Sequence, residues 1–185
     1  MKKTGIAIVI LLVAVFVCSC SSKRNNAFGN NNSERVEANQ KMEKVLQALE
    51  NEDADGLTSL FSANVIAEDD SFNEKLDLLF EYYNGALVSY NDWGAPAVYN
   101  SVDSEGYNRR VTSYDMTYDV ETTEEKYRFA IYYVVLDTAD VKNVGIQSLY
   151  IIKAQDDTNL QFPYWGDGKN TPGINIDVKN DIREE

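Results

Sequence analysis

The stretch Arg109–Asp137, RRVTSYDMTYDVETTEEKYRFAIYYVVLD, carries the architecture of this chain. Between Arg109 and Val120 the residues alternate, with Tyr114, Met116, Tyr118 and Val120 on one side and Ser113, Asp115, Thr117 and Asp119 on the other. Successive side chains of a strand point to opposite faces, so the pattern predicts a strand with one buried and one half-wetted face. From Lys126 to Asp137 the contrast disappears. Tyr127, Phe129, Ile131, Tyr133 and Val135 stand against Ala130, Tyr132, Val134 and Leu136, so both faces are apolar and both require cover. Glu121-Thr122-Thr123 supplies the turn between the two strands.

Working outward, β-branched and aromatic runs predict further strands near Leu87–Tyr90, Ala97–Val102 and Val144–Gln155. Turns at Ser104-Glu105-Gly106 and at Asp137 to Asn143 then give an antiparallel meander. Before Gly85 the period changes. Asn32 or Ser33 caps a helix whose apolar residues are Val36, Met42, Val45, Leu46 and Leu49. The run NEDADG interrupts it, and Leu57, Leu60 and Phe61 mark a short second helix. Ser71 and Glu74 have capping-box spacing ahead of Phe72, Leu76, Leu79, Phe80 and Tyr83, and Asn84-Gly85 stops that third helix. Helices segregated ahead of a long antiparallel sheet give an α+β fold with the helices on one sheet face. Strong twist wraps such a sheet into a cone around the longest helix, with a cavity where the wrap is incomplete.

The N-terminus carries an address. Lys2 and Lys3 precede an unbroken apolar run from Ile6 to Val17, the anatomy of an export signal. A run of about 12 residues reaches only about 18 Å as a helix, short of the roughly 30 Å of bilayer hydrocarbon. Val17-Cys18-Ser19-Cys20 resembles a bacterial lipobox, with a branched residue at minus three, a small one at minus one and then cysteine. The resemblance implies that Cys20 is thioether-linked to diacylglycerol and that residues 1–19 are removed. The alternatives are an uncleaved anchor helix, or ordinary cleavage that leaves Cys20 free or disulfide-bonded. The expected organisation is a signal peptide over 1–19, a lipidated flexible tether over 20–33, one α+β domain over 34–178 and a tail over 179–185. That organisation places the domain at the outer face of a cell membrane, with the membrane itself as first partner through the lipid anchor.

Composition narrows the chemistry. The 185 residues are 44% hydrophobic, enough for a real core, and 17 Lys plus Arg against 30 Asp plus Glu give a net charge of -13. Loss of Lys2 and Lys3 with the leader makes the remainder more acidic still. A chain so charged repels polyphosphate, so no nucleic-acid partner is expected. There is no histidine, and the two cysteines stand at 18 and 20, so the domain has neither imidazole nor a free thiol for catalysis or metal ligation. Asp167-Gly168-Lys169-Asn170 lacks the spacing of a phosphate loop and the ligand order of a calcium loop; it reads as a turn. Glu68-Asp69-Asp70 complements a helix N-terminus rather than a cation. No cofactor and no metal are expected.

The remaining candidates are aromatic. Twelve tyrosines and two tryptophans supply contact area with a polar tip. Tyr114, Tyr118, Tyr133 and Tyr150 either line the cavity or fill the cone and bond internally. Trp93 and Trp165, each beside a glycine, belong to a cavity rim or to packed corners. An isomerase- or lyase-like enzyme would pair Asp115 or Asp119 with Tyr114 or Tyr133, but alternation puts these carboxylates opposite Tyr114 and Tyr118, so no catalytic residue is assigned. A module binding a small molecule, a peptide or another protein is the first expectation. A structural surface protein is a further alternative. The doubly apolar Lys126 strand makes a homodimer through the sheet face a possible assembly.

The order of elements, with LENEDADGLTSLFSANV (49–65) at the first corner, resembles the nuclear transport factor 2-like fold. More narrowly, LLFEYYNGALVSYNDWG (78–94), EKYRFAIYYVVLDTADVKNVGIQSLYIIKAQD (125–156) and FPYWGDG (162–168) resemble a family of bacterial lipoproteins, domain of unknown function 5104. The resemblance covers about residues 35–176. It implies a cone-shaped α+β fold and brings no activity or catalytic residue with it.

Overall fold

The first helix, α1 (Asn32–Glu50), forms where Ala38, Met42, Val45, Leu46 and Leu49 recur at helical spacing, and all five are buried. This computed structural model describes residues 32–102, 109–157 and 170–178. The single short helix expected next is two. In α2 (Ala54–Thr58) the Asp53 carboxylate accepts from the Gly56 N–H at 2.8 Å, and in α3 (Ala63–Glu68) the Ser62 hydroxyl accepts from the Val65 N–H at 3.2 Å. Each cap satisfies an N–H that the first turn leaves orphaned. α4 (Phe72–Tyr82) buries Phe72, Leu76 and Leu79 as its periodicity predicts. The capping box does not form, because the Ser71 hydroxyl donates to Asp69 at 2.7 Å. Asp69 also takes Lys75 at 2.8 Å, and that bond holds its carboxyl below the usual range.

Six strands follow in one sheet: β1 (Leu87–Asp92), β2 (Ala97–Val102), β3 (Arg110–Thr122), β4 (Lys126–Asp137), β5 (Gly145–Lys153) and β6 (Gly173–Ile176). Their order is β1-β3-β4-β5-β6, with β2 also paired to β3. The simple meander is therefore corrected. β1 opposes residues 118–122 of β3 and β2 opposes residues 110–115, so the two short strands lie end to end along β3. Asp92 faces Tyr118 and Ala97 faces Asp115, and the residues between, 93–96, outnumber those opposite them. This corner holds Trp93 and Gly94, the latter at φ +139. β6, four residues long and directly after Pro172, is not legible as a strand, and it runs parallel to β5.

The fold is α+β, a curved, unclosed and mostly antiparallel sheet with cone-like form. Tyr114, Met116, Tyr118, Val120, Tyr127, Phe129 and Ile131 from β3 and β4 share one core with all four helices. The other sheet face carries a smaller cluster, Ala130, Tyr150 and Ile152, with Val178 against it. The core tightens at one close approach. Ser62 N–H donates to Ile146 C=O at 3.0 Å and Ile146 N–H to Leu60 C=O at 2.8 Å, so the α2–α3 junction is bridged to the start of β5. Gly145 sits at φ +133 there, and a Cβ would lie 2.6 Å from the Ser62 nitrogen; only glycine meets both demands.

Candidate functional site

The cavity of the cone lies between α1 and the helix-side face of the sheet. It is lined by Lys41, Lys44 and Val45 of α1, by Leu60, and by Met116, Ile131, Tyr133 and Ile146 of three strands. Lys41 and Lys44 border the stripe that carries the buried Met42 and Val45, so their stems run along apolar surface while their ammonium groups reach the rim. Lys41 Nζ stands 4.0 Å over the Tyr133 ring and 3.2 Å from Glu37 Oε1. Lys44 makes no ion pair among the described residues, whereas Arg35, Lys75, Arg109, Arg128 and Lys153 all do.

The space is about 40 Å³. A water molecule takes about 30 Å³ of liquid, and drug-sized ligands occupy pockets of roughly 300–1,000 Å³. Side chains have filled the cone. Tyr114 is buried with its hydroxyl donating to Glu37 at 3.0 Å, and burial together with that carboxylate pushes the phenol up to about 12. Tyr118 is buried with its hydroxyl donating to Asn39 at 3.2 Å, and burial raises it further. Asn39 in turn donates to Asp92, which also bonds Arg35. Burial works against the Asp92 carboxylate, but Arg35 and Asn39 outweigh it and hold the group below its ordinary value.

Of the expected aromatic residues that lie among the described residues, Tyr133 is the one that lines the hollow. Tyr150 is a correction. It pairs with Ala130 on the opposite sheet face, where it is fully buried and its hydroxyl oxygen accepts from Thr171 N–H at 2.5 Å. Trp93 also lies away from the cavity, its ring 5.2 Å from the Arg128 guanidinium and its backbone N–H donating to Thr117 C=O at 3.0 Å. Trp165 and Cys20 fall outside the described residues. Lys41 and Lys44 were missed, since charge on the outer half of an amphipathic helix reads as solvated surface; their signal was position, each directly beside a core residue of α1.

The back of the sheet gathers the acids that the enzyme alternative would need. Asp119 accepts from Arg128 at 3.2 Å, and Arg128 also pairs with Asp157. Asp115 bonds the Tyr99 side chain, while its Oδ1 is buried without a partner, and burial pushes the carboxyl up to about 6. Both lie across the sheet from Tyr114 and Tyr133, so these carboxylates do not converge with those two phenols. Asp69, one of the three adjacent acids before α4, is engaged by Ser71 and Lys75.

These features define a class: a small α+β domain with an aromatic interior and, among the described residues, a small lysine-rimmed hollow. Residues 44–154 match the family described as Domain of unknown function (DUF5104), and the chain belongs to that family. No curated protein matches it. No helix among the described residues is long and apolar enough to cross a membrane.

Proposed function

We propose that this protein is a lipid-anchored, extracytoplasmic binding module that recognises a short aliphatic group carrying a carboxylate, either as a small acid or as the tip of a peptide. The observation that carries the reading is the meeting of Lys41 and Lys44 on the rim of an apolar hollow in a chain of net charge -13. In so acidic a molecule, an unpaired ammonium beside Met116, Ile131 and Ile146 concentrates attraction for an anion at one spot. The size of the hollow admits a methyl or ethyl group and leaves the charged end outside with the lysines. The sequence of Val17 to Cys20 supports the address, with diacylglycerol on Cys20 holding the domain near the lipid surface.

Two measurements test this. Titration of acetate, propionate and butyrate, with propionamide as the uncharged control, should shift the methyl resonances of Met116, Ile131 and Ile146 saturably for the acids alone. A peptide ending in an aliphatic residue distinguishes the second source. Lys44→Gln should weaken saturation about tenfold, which is about 1.4 kcal/mol; equal response to the amide would refute the anion reading. Mass spectrometry of the membrane-derived protein should find Cys20 as an acylated N-terminus, and an intact leader would refute the anchor.

A further inference from the structure

The two strands that share one edge of β3 are treated differently by the rest of the molecule. The β1 strand is guarded by α1: Arg35 and Asn39 bond Asp92, the Tyr90 hydroxyl donates to Glu43 at 2.7 Å, and Leu87 N–H donates to Glu50 at 2.5 Å. In the β2 strand all six residues, AVYNSV, are exposed. Among the described residues no strand pairs with its outer side. Natural sheets blunt such edges with lysine, proline, bulges or inward charges. Within β2 there is no charge and no proline, and its register with β3 is unbroken from Ala97↔Asp115 to Val102↔Arg110.

The composition of this edge selects its occupant. About Asn100 the strand is symmetric in character: Val98 and Val102 stand two positions to either side on the face shared with Tyr114, and Tyr99 and Ser101 place a hydroxyl on each flank of the other face. A twofold axis through the midpoint of an antiparallel pair brings residue i against j and j against i. We propose that β2 pairs antiparallel with β2 of a second copy about a twofold at Asn100, which joins the two sheets into one. Val98 then meets Val102 of the other copy, and the two Asn100 amides face each other. Asn100 Oδ1 already accepts from Thr112 Oγ1 at 2.8 Å, so its NH2 group is the part available to the second copy. A strand from an unrelated protein would gain the same backbone bonds, but the uncharged edge offers nothing to select it. This inference is independent of the cavity and of the lipid.

A pair of six-residue strands buries less than the roughly 1,200–2,000 Å² of a stable interface, so the dimer is weak and reversible. Each copy carries -13, so association tightens as salt screens their repulsion. Sedimentation of the full chain over a wide concentration range should show monomer and dimer in exchange. The exposed double change Val98→Lys with Val102→Lys should weaken dimerisation at least about tenfold, with its thermal midpoint reporting that it still folds. Hydrogen exchange supplies a second readout that needs no variant: amides of residues 97–102 should gain protection as concentration rises. A monomer at every concentration overturns the proposal. A dimer that ignores the double change, or one that protects the β4 amides instead, overturns it in favour of the sheet face.

Discussion

The β3–β4 pair has two sides that differ residue by residue. Phe129 is fully buried under the helices, while its neighbour Arg128 points the other way into Asp119, Asp157 and the Trp93 ring. Tyr114 packs into the core, and the adjacent Asp115 is half-buried on the back. On the helix side the Tyr127 hydroxyl donates to Tyr82 C=O at 2.9 Å and accepts from Asn84 N–H at 2.8 Å, while the Tyr83 hydroxyl is buried without a partner and burial raises its pKa. The back spends its partly dry surface on charges. One side therefore supplies most of the stability, and the other makes the stability depend on pH.

Three substitutions separate the sides. Phe129→Ala should cost about 4 kcal/mol in denaturant unfolding, the transfer loss plus the cavity it leaves; a loss below about 1 kcal/mol would show a core that closes around the gap. Arg128→Met on the other face of the same strand should cost about 1–2 kcal/mol, because Asp157 loses its charged partner in a partly dry place. The smallest effect has the opposite sign. Asp115→Asn should stabilise the protein by about 1 kcal/mol at pH 7, since a carboxylate half-buried without a full set of partners is relieved of its charge.

The pH dependence follows from the same carboxyl. Its value in the folded state, about 6, lies above the ordinary 3.8, so between those values the native chain holds a proton that the unfolded chain has released. This contribution to stability is present at low pH and declines as pH rises through that window. Asp137 works the other way, held well below 3.8 by Arg109 and then by Asn143 and two backbone N–H groups, so its contribution is lost as pH falls beneath the carboxylate range. Thermal midpoints of the wild type should peak at mildly acidic pH, and Asp115→Asn should flatten only the alkaline flank.

Legibility in the sequence followed the strength of alternation. β3 declared its faces because polar and apolar residues took strict turns, and the burial of Tyr114, Met116, Tyr118 and Val120 matches. β5 declared nothing, since nearly every residue from Gly145 to Ile152 is buried, and a strand covered on both sides has no contrast to read. That silence, with a register shift in its pairing to β4 at Tyr132/Tyr133, is why the pattern does not reveal that Tyr150 lies on the face away from the helices. Partner choice was equally hidden: alternation fixes which way a side chain points, not which strand lies beside it, so the end-to-end placement of β1 and β2 and the parallel β6 emerged only in three dimensions. The site was less legible than the fold. Tyr133 shares its side of β4 with Ile131, a pairing alternation displays, whereas the lysines opposite it need the approach of α1 to acquire meaning.

The bridge between Phe61 and Ile146 also bears on how this protein reaches its native state. A chain made from its N-terminus presents the helical half long before the strand that clamps it, and α4 must wait longer still for β6, against which it packs. Contacts so distant along the polymer carry a large loop-closure cost before any reward arrives, which slows assembly. The apolar stripes of α1 and α4 therefore gain their full cover only once the last strands of the chain are in place.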